Sequence, residues 1–179
     1  MSAQACESVD ADRVLEMVRT IATEEELDPD LALAVVDVES AGGKHQVSDA
    51  GAVGIMQLMP ATARWVAKQM NQGDYRPARI GEAQLNTQFG AFYFKYWLDR
   101  LDGMPALAAA AYNAGPGRAR AWRADVPLEG AIYAESIPFN ETRDYVKKVL
   151  ANAVWYAHLR GSGNTSLKAR LGIIPARER

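Results

Sequence analysis

The chain has 179 residues, 49% hydrophobic and 23% charged, with a formal net charge of −2 and one cysteine. That is one domain's worth of ordinary globular composition, long enough to bury a core without disulfides. The charge gives no electrostatic case for nucleic acid or anionic membrane surfaces, and no apolar run approaches the roughly 18 residues of a membrane span. Cys6 cannot form an internal disulfide. It follows small residues, as a lipidated cysteine does, but no apolar stretch precedes it, and the sequence shows no signal peptide.

In chain order, residues 1–9 are small and polar and read as a flexible N-terminus. Val14, Leu15, Val18, Ile21 and Ala22 recur at helical spacing between Ala11 and Leu27. Asp28-Pro29 then reads as an N-cap with proline at the first helical position, and Gly42-Gly43 as the stop. The loop from Ala41 to Val53 is rich in Gly and Ser, and Pro60 opens a helix with Trp65 and Val66 inward. After a polar connection, Gln72 to Ile80, comes the clearest periodicity in the chain. Leu85, Phe89, Phe92, Tyr93, Tyr96 and Trp97 form one stripe, read as core rather than as a ligand platform. An alanine-rich helix, Pro105 to Tyr112, stops at Asn113-Ala-Gly-Pro-Gly, and Arg118 to Trp122 is a short helical piece. Asp125 to Asn140 is a loop with room for one short helix. The last long helix, about Glu141 to Arg160, buries Tyr145, Val146, Val149, Leu150, Ala153 and Ala157. Residues 161–179 form a tail with order expected around Leu171-Gly-Ile-Ile. No segment alternates as a strand, so the fold class is all-α with one core.

One residue stands out on physical grounds. Between Pro29 and Ser40 nearly every position is Leu, Ala or Val, so that helix is buried nearly all round. At about 100° per residue, Glu39 falls between Val35 and Val36 in the apolar sector, whereas Asp37 falls on the opposite side, toward water. A carboxyl on a buried face resists ionisation, and a carboxylic acid still protonated near neutral pH is a general acid.

Four segments then carry a resemblance: Glu39-Ser40; Gly51-Ala-Val-Gly54-Ile-Met-Gln57-Leu-Met59-Pro60; Ala111-Tyr112-Asn113-Ala-Gly115; and Ile137-Pro-Phe-Asn-Glu141-Thr-Arg-Asp-Tyr145-Val146. In this order the chain resembles the soluble lytic transglycosylases, the lysozyme-like SLT domains of glycoside hydrolase family 23, over roughly residues 10–160. The resemblance implies an all-α lysozyme-like (goose-type) fold and cleavage of the β-1,4 bond between N-acetylmuramic acid and N-acetylglucosamine in peptidoglycan. It implies Glu39 as the catalytic acid/base, a 1,6-anhydro product, and substrate contacts at Ser48, Gln57, Met59, Tyr112, Asn113, Glu141 and Tyr145. It further implies a periplasmic or cell-envelope location, peptidoglycan strands as partner, and room for a cell-wall or secretion-apparatus protein partner.

Each of these residues has a plainer reading. A helix-end Glu meets solvent or pairs with a base; Gln57 is a satisfied core amide; Met56 and Met59 fill space; Tyr112 and Tyr145 are core aromatics with bonded hydroxyls. Glu141, in a first helical turn, is what the helix dipole favours. His45 and His158 have no ligand partners at metal-binding spacing, so neither a metal nor another cofactor is expected. Two rival functions remain open on the sequence. A hydrolytic muramidase would use Asp49 as the base for water. A catalytically idle module would bind peptidoglycan or an assembly partner, but has no need of a buried acid.

Overall fold

A computed structural model describes residues 3–42, 47–162 and 166–177, with side chains from residue 11 onward. The expectations for Gly43 and His45, and for the side chain of Cys6, lie outside the described residues. Nine α-helices occur among the described residues: α1 (Ala3–Glu24), α2 (Pro29–Ser40), α3 (Pro60–Gln69), α4 (Ala83–Arg100), α5 (Pro105–Ala114), α6 (Pro116–Ala121), α7 (Gly130–Ser136), α8 (Asn140–Leu159) and α9 (Leu167–Leu171). A 3-10 turn covers Pro77–Gly81. The architecture is the all-α one read from the sequence.

Proline stands at the start of α2, α3, α5 and α6, where its missing N–H is one the helix could not have satisfied. Asp28 caps α2, its carboxylate accepting from the Asp30 N–H at 2.9 Å. The stop is not a glycine. Ala41 takes the left-handed conformation (φ +50°) and returns its N–H to the Asp37 carbonyl. α1 begins at Ala3, eight residues before the apolar periodicity starts.

The expectation of no strand is corrected. β1 (Leu128–Glu129) and β2 (Ile173–Ile174) pair antiparallel, Leu128 opposite Ile174 and Glu129 opposite Ile173. Two-residue strands carry no alternation to read, and this pairing joins segments 45 positions apart.

The chain divides into two compact units, Met1–Phe92 and Tyr93–Arg179, with the boundary inside α4. In the first, α1 packs on α2, and Val18, Ile21, Ala22, Leu27 and Leu31 to Val36 are buried. In the second, α5 packs against α6 and α8. Ala106 to Ala111 are fully buried, as the run of small side chains allows when helices approach closely. The buried face of α8 is the one the periodicity named, Tyr145 through Ala157. Arg123, almost wholly buried, holds the C-terminal segment. Its Nε donates to the Pro175 carbonyl at 2.9 Å and its Nη2 to Asp102 at 3.0 Å.

The aromatic stripe of α4 is core only in part. Leu85 and Phe89 are buried, but Phe92, Tyr93, Tyr96 and Trp97 are half-buried, and the fully buried aromatic beyond Phe89 is Phe94. The covered side of the helix shifts along its length, so a single stripe cannot describe all of it. None of the helices, among the described residues, is long and apolar enough to cross a membrane.

Candidate active site

Glu39 sits in the last turn of α2. The six residues Leu31 to Val36 are buried, Asp37 is exposed, and Glu39 is half-buried. The angular argument therefore places Asp37 and the helix core correctly, and Glu39 combines partial burial with access. That combination suits an acid that must meet a substrate.

The next residue, Ser40, is fully buried and turns the other way. Its hydroxyl lies 2.7 Å from the Ile55 carbonyl and 3.1 Å from the Val36 carbonyl of its own helix. Ser40 thereby ties the end of α2 to the Gly54–Gln57 segment. This segment is a tight hairpin: Val53 and Leu58 exchange both backbone hydrogen bonds at 3.0 Å, and Val47 bridges to Val53. The composition predicts no regular structure before Val53; two isolated antiparallel bridges, Val47 to Val53 and Val53 to Leu58, are what the glycines leave room for.

A residue the sequence reading passed over holds this hairpin. Asn86, at the start of α4, is fully buried and uses its whole amide. Oδ1 accepts from the Met56 N–H at 2.7 Å, and Nδ2 donates to the Val53 and Ile80 carbonyls, both at 2.9 Å. Backbone groups in a turn have no ladder partner, and an amide with one acceptor and two donors supplies three at once. Gly54 (φ +83°) is required beside it: a Cβ there would stand 2.4 Å from the Asn86 amide carbon. Met56 is the buried filler expected, and Gly90 makes its space, since a Cβ on Gly90 would lie 2.4 Å from the Met56 sulfur. The one available signal for Asn86 was a polar residue next to Leu85 at the start of an apolar stripe.

Gln57 takes φ +48°, a left-handed conformation unfavourable for a residue with a side chain by about 1 kcal/mol. Its Nε2 donates to the Gly54 carbonyl at 2.8 Å. Met59 is the N-cap of α3 and is 43% exposed, unusual for a methionine. Ser48 closes a small turn, with its hydroxyl accepting from the Ala52 N–H at 3.0 Å and its N–H donating to the Ala52 carbonyl at 2.9 Å. Asp49 lies exposed in that turn.

In the second unit, Tyr112 is half-buried near the end of α5, its ring 5.4 Å from Tyr93 and 5.8 Å from Phe94. Burial raises the Tyr93 hydroxyl above the ordinary tyrosine range, so Tyr93 is a neutral phenol at any physiological pH. Asn113 and Glu141 line one cavity of about 440 Å³, together with Ala114, Arg118, Phe139, Asn140 and Thr142. Glu141 is exposed in the first turn of α8, where the helix dipole favours it. Tyr145, one turn further on, is buried; neither it nor the half-buried Tyr112 lines this cavity. Phe139 is 47% exposed, backed edge-on by Trp122 at 5.3 Å and approached by Arg118 at 5.2 Å. Arg143 folds back on the turn before α8, with Nη1 donating to the Ile137 carbonyl at 3.4 Å and Nη2 to Asn140.

In the first unit the end of α2, Glu39-Ser40, is bonded to the Gly-rich hairpin, and in the second the alanine helix ends in Tyr112-Asn113. Residues 16–131 match the transglycosylase SLT domain and residues 136–165 the soluble lytic transglycosylase helical domain. The chain belongs to the transglycosylase SLT domain family. Soluble lytic murein transglycosylase of Salmonella typhimurium is 41% identical over 133 residues, 73% of this chain and 21% of the relative. That of Escherichia coli K12 is 35% identical over 147 residues, 80% of this chain and 23% of the relative. Among solved structures, lytic transglycosylase Slt from Pseudomonas aeruginosa superposes with a TM-score of 0.77 at 34% identity, over 82% of this chain and 24% of that one. The 70-kDa soluble lytic transglycosylase of Escherichia coli gives 0.76 at 32%, over 88% of this chain and 25% of that one. The chain thus spans between a fifth and a quarter of the length of these four relatives.

Proposed function

We propose that this domain is a peptidoglycan lytic transglycosylase working in the cell envelope, with Glu39 as its one acid/base. The observation that carries the reading is the setting of Glu39: half-buried in the last turn of a buried helix whose next residue is bonded to the Ile55 carbonyl. The solved Pseudomonas aeruginosa relative is an inactive Glu-to-Gln mutant, and a 70-kDa soluble lytic transglycosylase has been solved in complex with bulgecin A. The first supports a carboxyl-dependent enzyme, and the names of the murein transglycosylase relatives support murein as its substrate.

The chemistry follows from having one such carboxyl. Two-carboxylate glycosidases keep a second group as nucleophile or as base for water. Asp49, exposed in a polar turn, has no comparable setting. In the proposed reaction Glu39 donates its proton to the glycosidic oxygen as the C1–O4 bond breaks. Its carboxylate then takes the proton of the muramoyl 6-hydroxyl as that oxygen bonds to C1. The proton returns to Glu39, no water is consumed, and the product is a 1,6-anhydro sugar. An intramolecular hydroxyl held in place profits from high effective concentration. Ser48, Gln57, Met59, Tyr112, Asn113, Glu141 and Tyr145 are the proposed substrate contacts.

The test is Glu39→Gln on purified peptidoglycan, with solubilisation and thermal unfolding followed together. The expected result is loss of cleavage by at least about three orders of magnitude, the scale of general acid catalysis, with an unchanged Tm. Cleavage near the unsubstituted rate would refute the assignment.

A further inference from the structure

The cavity shared by Asn113 and Glu141 is also lined by Thr142, to which the proposed reaction assigns no task. It is 2% exposed, and its hydroxyl lies 2.7 Å from Asn113 Oδ1. A buried hydroxyl needs an acceptor for its proton. Among the described residues the acceptor of Thr142 is this amide oxygen, and Asn113 Nδ2 has no protein acceptor. With Oδ1 held against the buried Thr142 hydroxyl, what Asn113 offers a ligand is its NH2, a pure donor. Asn113 is the penultimate residue of α5 and Thr142 stands in the first turn of α8, two helices packed on each other. Both partners are therefore fixed by backbone.

We infer that Thr142 is a positioning residue: it turns Asn113 so that the amide presents donors, and thereby selects an acceptor oxygen of the substrate, such as an N-acetyl carbonyl. The inference rests on the reading of Asn113 as a sugar contact. It adds what Asn113 offers and which side chain decides it. A free asparagine amide can rotate to offer donor or acceptor, and would recognise hydroxyls and N-acetyl groups alike; a locked one discriminates.

The experiment measures kcat and KM on soluble glycan strands for the unsubstituted domain, Thr142→Val, Thr142→Ser, Asn113→Ala and the Asn113→Ala/Thr142→Val pair. Nitrogen-15 NMR of the Asn113 side-chain NH2 in the ligand-free proteins accompanies it. Thr142→Val is expected to raise KM roughly ten-fold, the worth of one hydrogen bond, with kcat changed less and the Asn113 NH2 resonances displaced. Thr142→Ser restores both readouts, and the double variant matches Asn113→Ala alone, because Thr142 acts through that amide. If Thr142→Val does not fold, Thr142→Ala carries the same comparison. Unaltered KM and NH2 resonances in Thr142→Val would overturn the proposal, as would losses that multiply in the double variant. An Asn113→Ala enzyme with unchanged KM would overturn the sugar-contact reading and the selection built on it. Loss of all turnover in the unsubstituted domain with intact NH2 coupling would instead place the failure in the proposed activity.

Discussion

The hydroxyl of Ser40 lies 2.7 Å from the carbonyl oxygen of Ile55, fifteen residues along the chain and fully buried. This contact joins the turn of α2 that carries Glu39 to the hairpin that carries Gln57. Ser40→Ala leaves the Ile55 carbonyl buried without its partner, at a cost of about 1–3 kcal/mol. Urea unfolding should show that loss. Activity should fall further than stability explains at a temperature where the variant is fully folded, because the end of α2 is no longer held to the hairpin. A stable variant with unimpaired turnover would show that the bond is incidental.

Asn86 gives a sharper comparison. Asn86→Asp replaces the NH2 that faces the Val53 and Ile80 carbonyls with an oxygen, setting acceptor against acceptor in a buried site. Each unsatisfied buried group costs about 1–3 kcal/mol. Asn86→Asp should therefore be at least as destabilising as Asn86→Ala, although it is the closer isostere. Chemical denaturation of the two side by side decides it, and the reverse order by a clear margin would contradict the account of the hairpin.

Glu25 provides a pH signature. Burial raises its carboxyl above the ordinary range, opposed by a 3.4 Å hydrogen bond from Gln88 and reinforced by the charge of Glu24. A carboxyl raised in the folded state contributes stability that is complete below its unfolded value and lost as pH rises through its folded value. It also sits just past the C-terminus of α1, where negative charge is unfavourable. Glu25→Gln should match the unsubstituted domain at pH values where the carboxyl is protonated. It should gain a degree or two of Tm, roughly, at pH 7–8, the small size reflecting a half-exposed group. Thermal melts across that range test it; a lower Tm for the variant at pH 8 would contradict it.

Much of this fold was legible because helices announce themselves locally. Pro29, Pro60 and Pro105 mark starts, and the apolar spacing of α8 named every apolar residue on its buried face, though not Thr142. The position of Asp37 followed from one angle per residue. What escaped had non-local causes. The β1–β2 pair depends on a partner far along the chain, and the half-exposure of Tyr96 and Trp97 depends on what covers α4 there. Asn86, Ser40 and Thr142 are ordinary polar residues until their partners are known. The candidate site was found through motif order, whereas the residues that support it emerged only from hydrogen bonds.

The central claim is that the muramoyl 6-hydroxyl, and not water, closes the reaction. The most direct measurement is digestion of purified peptidoglycan by this domain in water enriched in oxygen-18, followed by mass spectrometry of the released muropeptides. The account predicts products lighter by one water than reducing-end sugars and free of the heavy isotope, and absent when Glu39 is replaced by Gln. Reducing ends carrying oxygen-18 would contradict it and identify a hydrolytic muramidase, with Asp49 the first residue to substitute.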